Sequence, residues 1–173
     1  MKNIYTDLAL EERERFQKNV EIEGVEINKK YDRNLKMTTT VVDIVSEKGA
    51  ETMGKPIGSY ITIETKKLQE QRESERKKIA KQLSENLSEI TKGDNIKNVL
   101  IVGLGNSLAT PDALGPKTIE EIISGEKVYC IAPGVLAQTG METYSVIKGI
   151  VNEIDPDLII AIDSLAARNV RRI

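Results

Sequence analysis

The second half of the chain alternates strand-like and helix-like segments, and this constrains its fold more than any other feature. "NVLIVGL" (98–104), "VYCIA" (128–132) and "DLIIAID" (157–163) are short apolar runs of strand length. Between them lie "PKTIEEIIS" (116–124) and "TGMETYSVIKGIVNEI" (139–154), with helical spacing of their apolar residues. Strand–helix–strand–helix–strand implies a parallel sheet with right-handed crossovers. Strands that are apolar throughout fit a sheet covered on both faces. The core strands expected are Val99–Gly103, Val128–Ile131 and Leu158–Ile162, joined by helices near Pro116–Ser124 and Glu142–Ile154. Pro116 suits a first helical turn. Thr139 and Glu142 have the spacing of a capping box.

The first half has a different texture. "MTTTVVDIV" from Met37 and "GSYITIE" from Gly58 are rich in β-branched residues and read as two strands, paired antiparallel. "DLALEERERFQKN" (7–19) reads as a short charged helix that Asp7 could cap. Residues 66–93 have a helical charge pattern, with Ile79, Leu83, Leu87 and Ile90 on one face and Gly93 as a stop. The expected class is α/β: a mainly parallel sheet flanked by helices, with an additional antiparallel β segment, as a single domain over 1–173.

Composition narrows the chemistry. The 173 residues include no histidine and one cysteine. Ser-His-Asp and Cys-His catalysis within this chain are therefore excluded. The commonest zinc ligand is absent and a single cysteine cannot replace it, so no metal site is expected. Acid–base work falls to carboxylates, lysines or tyrosines. The net charge of −2 argues against direct nucleic-acid binding. No apolar run approaches the ~20 residues of a membrane span, and no secretory signal is visible. One cysteine also rules out an internal disulfide framework, which fits a reducing cytosol.

The loop after the first parallel strand, "GLGNSLATPDALGP", tests two ideas. A dinucleotide loop needs Gly-x-Gly-x-x-Gly, but Leu108 holds the third position. A Walker loop needs Gly-Lys-Ser/Thr, which is also missing. The acids are more informative. Asp112 follows one strand and Asp163 ends another, at the carboxyl edge where parallel sheets bind ligands. Two carboxylates in one crevice cannot both ionise cheaply, so one can activate water while the other donates a proton. The ordinary alternatives are a turn or cap role for Asp112 and a helix-cap role for Asp163. Gly103 and Gly105 serve a tight turn under either idea.

Four stretches occur in order along the chain: "YTDLALEER", "GLGNSLATPDALGP", "PGVLAQTGMET" and "IDSLAARN". Together they resemble the germination protease family of spore-forming bacteria. The resemblance implies an atypical aspartic endopeptidase with a hydrogenase-maturation-peptidase-like (phosphorylase/hydrolase-like) α/β fold and no cofactor. Its catalytic aspartates would be Asp112 and Asp163. It implies small acid-soluble proteins that coat spore DNA as substrates, a cytoplasmic location in the spore core, and a homotetramer. It also implies a self-processing zymogen. "TDLA" (6–9) has the family's cleavage pattern, making Asp7–Leu8 the expected processing bond and residues 1–7 the candidate propeptide. Cutting after an acid calls for a cationic pocket, for which Arg168 is the nearest candidate in sequence. Family members continue well beyond "AARN", so the chain is expected to be the N-terminal portion of such an enzyme, truncated at its C-terminus. Two alternatives stay open: a non-catalytic α/β binding module, and a hydrogenase-maturation-type peptidase, whose expected histidine is missing.

Overall fold

The computed structural model describes residues 7–14, 21–65, 72–92 and 95–165. They fall into two compact units, one formed by the described residues up to Lys92 with Leu165, the other by those from Asn95 to Ser164.

The first unit contains α1 (Ala9–Arg13), β1 (Val25–Asp32), β2 (Met37–Ile44), α2 (Glu47–Met53), β3 (Gly58–Thr65) and α3 (Glu73–Ile90). The strands form an antiparallel sheet in the order β1-β2-β3. Val25 pairs with Ile44 at one end of β1–β2 and Asp32 with Met37 at the other. The turn between them is held by Asp32, whose Oδ1 accepts from the amides of Asn34 at 2.8 Å and Leu35 at 3.0 Å. Alternation along β2 sends Thr40, Val42 and Ile44 to a buried face. Val42 and Ile44 pack there with Ile22 and Met53, supported by Val25, Ala50 and Tyr60.

Four local expectations need correction. β1 was not anticipated, because its run of polar residues, "NKKYD", hides the period-two pattern of Val25, Ile27 and Tyr31. The stretch linking the expected strands holds α2, capped by Ser46, whose Oγ accepts from Gly49 N at 3.1 Å. In α1 the N-cap position is Leu8, in extended conformation, and not Asp7. In α3, Leu83, Leu87 and Ile90 share a face but are exposed. The helix instead turns Gln82 and Asn86 toward a cavity of about 670 Å³ over Asn28, Lys30 and Thr39 of the sheet. Ile90 at the end of the helix lines the same cavity, together with Val41 and Ile61 of the sheet.

The second unit contains β4 (Val99–Gly103), a 3-10 turn (Thr110–Asp112), α4 (Leu114–Glu121), β5 (Val128–Ile131), α5 (Leu136–Thr139), α6 (Thr143–Ile154) and β6 (Leu158–Ile162). The three expected strands lie in one sheet, ordered β5-β4-β6 and parallel throughout. Leu100 and Val102 are buried at its centre. Leu100 lines a cavity with Ile150 and Ile154 of α6, whereas Gly103 abuts Gly115 and Ile119 of α4. Positions 100 and 103 face opposite ways along a strand, so α4 and α6 cover opposite faces. At the amino ends of the strands, Asp157 Oδ2 accepts from the amides of Lys97 and Asn98, both at 2.8 Å. Those two amides hold the Asp157 carboxyl below its ordinary range, Asn98 most strongly.

One helix cap also differs from expectation, while Pro116 keeps its expected first-turn place. Gly140, in the left-handed region, ends α5, and α6 begins at Thr143 with Glu142 at its N-cap. Thr139 is therefore not the cap of α6. Its hydroxyl instead accepts from Met141 N at 3.2 Å within the preceding turn. α4 starts at Leu114, two residues before Pro116, which then occupies the first turn.

Candidate active site

The chain leaves central β4 toward β5 on one side, then crosses back to β6 on the other. The loop after β4 and the residues after β6 lie side by side at the carboxyl edge of the sheet, the edge at which open parallel sheets bind ligands. Asp112 sits in the first of these loops. Asp163 is the residue immediately after β6.

Pairing between the two strands continues past Gly103, because Leu104 N donates to Ile162 O at 2.8 Å. Asp163 thus follows the residue to which the β4 loop is tied. The start of α4 closes down on the same point. A side chain at Gly115 would collide with the main chain of both Leu104 and Ile162. Only glycine lets α4 approach both strand ends so closely. The close helix–strand contact that a third fingerprint glycine supplies in dinucleotide folds comes here from Gly103 against Gly115.

Asp112 ends the 3-10 turn and is half-buried. Its Oδ2 accepts from Asn106 N at 2.8 Å, and its main-chain oxygen accepts from the same amide at 3.0 Å. Asp112 N in turn donates to Ala109 O at 2.8 Å, and Ala109 N to Asn106 O at 3.0 Å. The carboxylate therefore holds its own loop, the role expected of a turn residue. One oxygen is used in doing so. Oδ1 accepts no hydrogen bond among the described residues. Gly105 makes the fold-back possible: its φ is +113°, and an added Cβ would collide with Asp112 O.

Asp163 is exposed, and its Oδ1 accepts from Ser164 N at 2.7 Å. Its Oδ2 has no hydrogen-bond partner among the described residues. Each aspartate thus keeps one carboxylate oxygen without a hydrogen bond among the described residues, Asp112 in the loop after β4 and Asp163 directly after β6.

The sequence model of the germination protease family matches residues 4–173. The chain belongs to the germination protease family. It is 40% identical to the germination protease of Caldanaerobacter subterraneus subsp. tengcongensis, over 98% of this chain and 56% of that protein. It is also 40% identical to that of Clostridium tetani, over 99% and 58%. The identity to that of Priestia megaterium is 35%, over 96% and 49%. The chain thus spans about half the length of the curated relatives it matches.

Of the other residues singled out in this germination protease sequence, Arg168 lies outside the described residues. Asp7 and Leu8 are half-buried, and the three residues after them, Ala9, Leu10 and Glu11, are buried in α1. α1 packs on α2, β2 and β3 of the first unit. Sequence reasoning passed over two residues near Asp112. Asn106 lies in the loop after β4 and Gln138 on α5, yet Gln138 Nε2 donates to Asn106 Oδ1 at 2.7 Å. Each is a carboxamide shortly after a parallel strand, the one signal that could have drawn attention to them. Among the described residues no helix is long and apolar enough to cross a membrane.

Proposed function

We propose that this protein is an endopeptidase that degrades small acid-soluble, DNA-coating proteins during spore germination, using Asp112 and Asp163 as a catalytic pair. The supporting observation is two carboxylates, each with an uncommitted oxygen, one in the loop after β4 and one directly after the neighbouring strand β6, in a chain of the germination protease family. One aspartate takes a proton from water as the water oxygen attacks the peptide carbonyl. The other, protonated, gives its proton to the carbonyl oxygen. Collapse of the tetrahedral intermediate breaks the C–N bond, and the departing amine receives the proton first taken from water. No cofactor enters this scheme.

Several finer features belong to the same reading. The parallel sheet and its crevice are the core of a hydrogenase-maturation-peptidase-like domain. The chain is made as a zymogen and cuts itself at Asp7–Leu8. Arg168 receives the acidic residue before the scissile bond. The working enzyme is a homotetramer in the spore core.

The test is hydrolysis of a purified small acid-soluble spore protein by the full-length gene product. Replacing Asp112 or Asp163 by Asn nearly preserves size and removes the proton relay. Hydrolysis is expected to fall at least ~100-fold in each variant, the lower range for lost acid–base catalysis. Self-cleavage at Asp7–Leu8 should stop with it. Undiminished hydrolysis by Asp163→Asn would refute the two-aspartate mechanism.

A further inference from the structure

The loop after β5 reaches the Asp112 loop through a single side chain. Gln138 Nε2 donates to Asn106 Oδ1 at 2.7 Å, across 32 positions of sequence. The same Asn106 oxygen accepts from Leu108 N at 2.9 Å. The main-chain amide of Asn106 is the donor to Asp112 Oδ2. Gln138, Asn106 and Asp112 therefore form one chain of contacts that ends on the carboxylate.

The orientation of Gln138 is set at its other end. Val135 N donates to Gln138 Oε1 at 3.4 Å, so the amide oxygen is turned back to its own loop and the NH2 group faces Asn106. A second feature clears the path. At Gly134, with φ at +74°, an added Cβ would lie 3.2 Å from Gln138 Oε1 and 3.1 Å from Thr139 Cγ2. Glycine there leaves room for the carboxamide. The loop is braced independently of Gln138, because Thr143 Oγ1 donates to Gly134 O at 3.1 Å. Gln138 is an exposed, rotamer-rich side chain, and holding it in place costs entropy. Hydrogen bonds at both ends of the amide offset that cost, and they serve to lock one carboxyl-edge loop to the next.

We propose that Gln138 is a positioning residue for Asp112, acting through Asn106. It fixes the Asn106 side chain and with it the amide that orients the carboxylate. The inference rests on the two-aspartate reading given above. Small displacements of a reacting group are costly, since ~1 Å can lower a rate ~100-fold. A residue that only positions the group changes turnover and leaves substrate affinity nearly alone.

The test compares kcat and KM of the full-length gene product and its variants on a small acid-soluble spore protein. Gln138→Leu removes both hydrogen bonds at similar length. Gln138→Glu keeps the shape but sets an acceptor against Asn106 Oδ1. Each should lower kcat ~10-fold or more with KM changed less than ~2-fold. Gln138→Leu combined with Asn106→Ala should be no worse than Asn106→Ala alone, the signature of residues acting in series. Amide exchange at Asn106 in the native Gln138→Glu protein should quicken ~10-fold as the loop loosens, a readout that stands if the leucine variant does not fold. Unchanged kcat in both variants, additive losses, a rise confined to KM, or unchanged exchange at Asn106 would overturn the proposal. Asp112→Asn run alongside separates the two claims. If it is inactive while the Gln138 variants are normal, only the positioning role fails; if it is fully active, the catalytic reading fails as well.

Discussion

Replacing Gly105 by alanine tests how the crevice is built. Two costs combine at this position. Its φ of +113° is a conformation that side chains rarely adopt, and strain of this kind amounts to about 1–3 kcal/mol. The new methyl would also overlap Asp112 O and lie 3.0 Å from Asp112 Oδ1 and 3.1 Å from Cγ. Relief requires the Asp112 main chain to retreat, at an overpacking cost of about 1–3 kcal/mol. The total is about 2–6 kcal/mol. Gly140 is the control within the same unit. Its φ is +70°, but nothing lies within 4 Å of an added Cβ, so Gly140→Ala should cost only about 1–2 kcal/mol. For a chain of 173 residues, melting falls by about 2–4 °C per kcal/mol. At ~4 kcal/mol Gly105→Ala should melt about 8–16 °C lower, against about 2–8 °C for Gly140→Ala. Differential scanning calorimetry reads both, and amide exchange at Asn106 reports whether the Asp112 contact is lost. Equal melting of the two variants, with Asn106 exchange unchanged, would refute the idea that the β4 loop folds back on Asp112 through a glycine-only position.

Three further substitutions probe the frame. Leu100 is 1% exposed at the centre of the parallel sheet, so Leu100→Ala should cost about 2–5 kcal/mol in urea unfolding. Ser46→Ala removes the cap of α2 and should cost about 1 kcal/mol, with amide exchange quickened at Gly49. Asp157 is held ionised below its ordinary range by the amides of Asn98 and Lys97. A depressed carboxyl stabilises the fold above its unfolded value and loses that contribution as pH falls through the folded one. Asp157→Asn should therefore be less stable than the parent at neutral pH, with the gap closing in acid. A gap of constant size from neutral pH to pH 2 would contradict the assignment.

The sequence by itself determined the parallel sheet. Val99–Gly103, Val128–Ile131 and Leu158–Ile162 are continuous apolar runs, and all three lie in one parallel sheet, although Tyr129 and Ile159 on its edge strands are exposed. It also placed Asp163 directly after a strand and Asp112 in the loop after another, because the boundary of an apolar run marks where a strand stops. The antiparallel segment was legible in part: β2 and β3 carry β-branched residues, whereas the edge strand β1 is exposed along most of its length and its polar run hides the alternation of Val25, Ile27 and Tyr31. Only the tertiary structure decided the rest. The face α3 turns to the sheet includes Ile79, Gln82, Asn86 and Ile90, and leaves Leu83 and Leu87 of the apolar stripe exposed. The strand order β5-β4-β6, which makes the strands preceding the two aspartates neighbours, is a matter of which edge each crossover joins. The link from Gln138 through Asn106 to Asp112 spans loops far apart in sequence. Local periodicity carries information about one element at a time, and a site assembled from three loops exists only once the chain has brought them together.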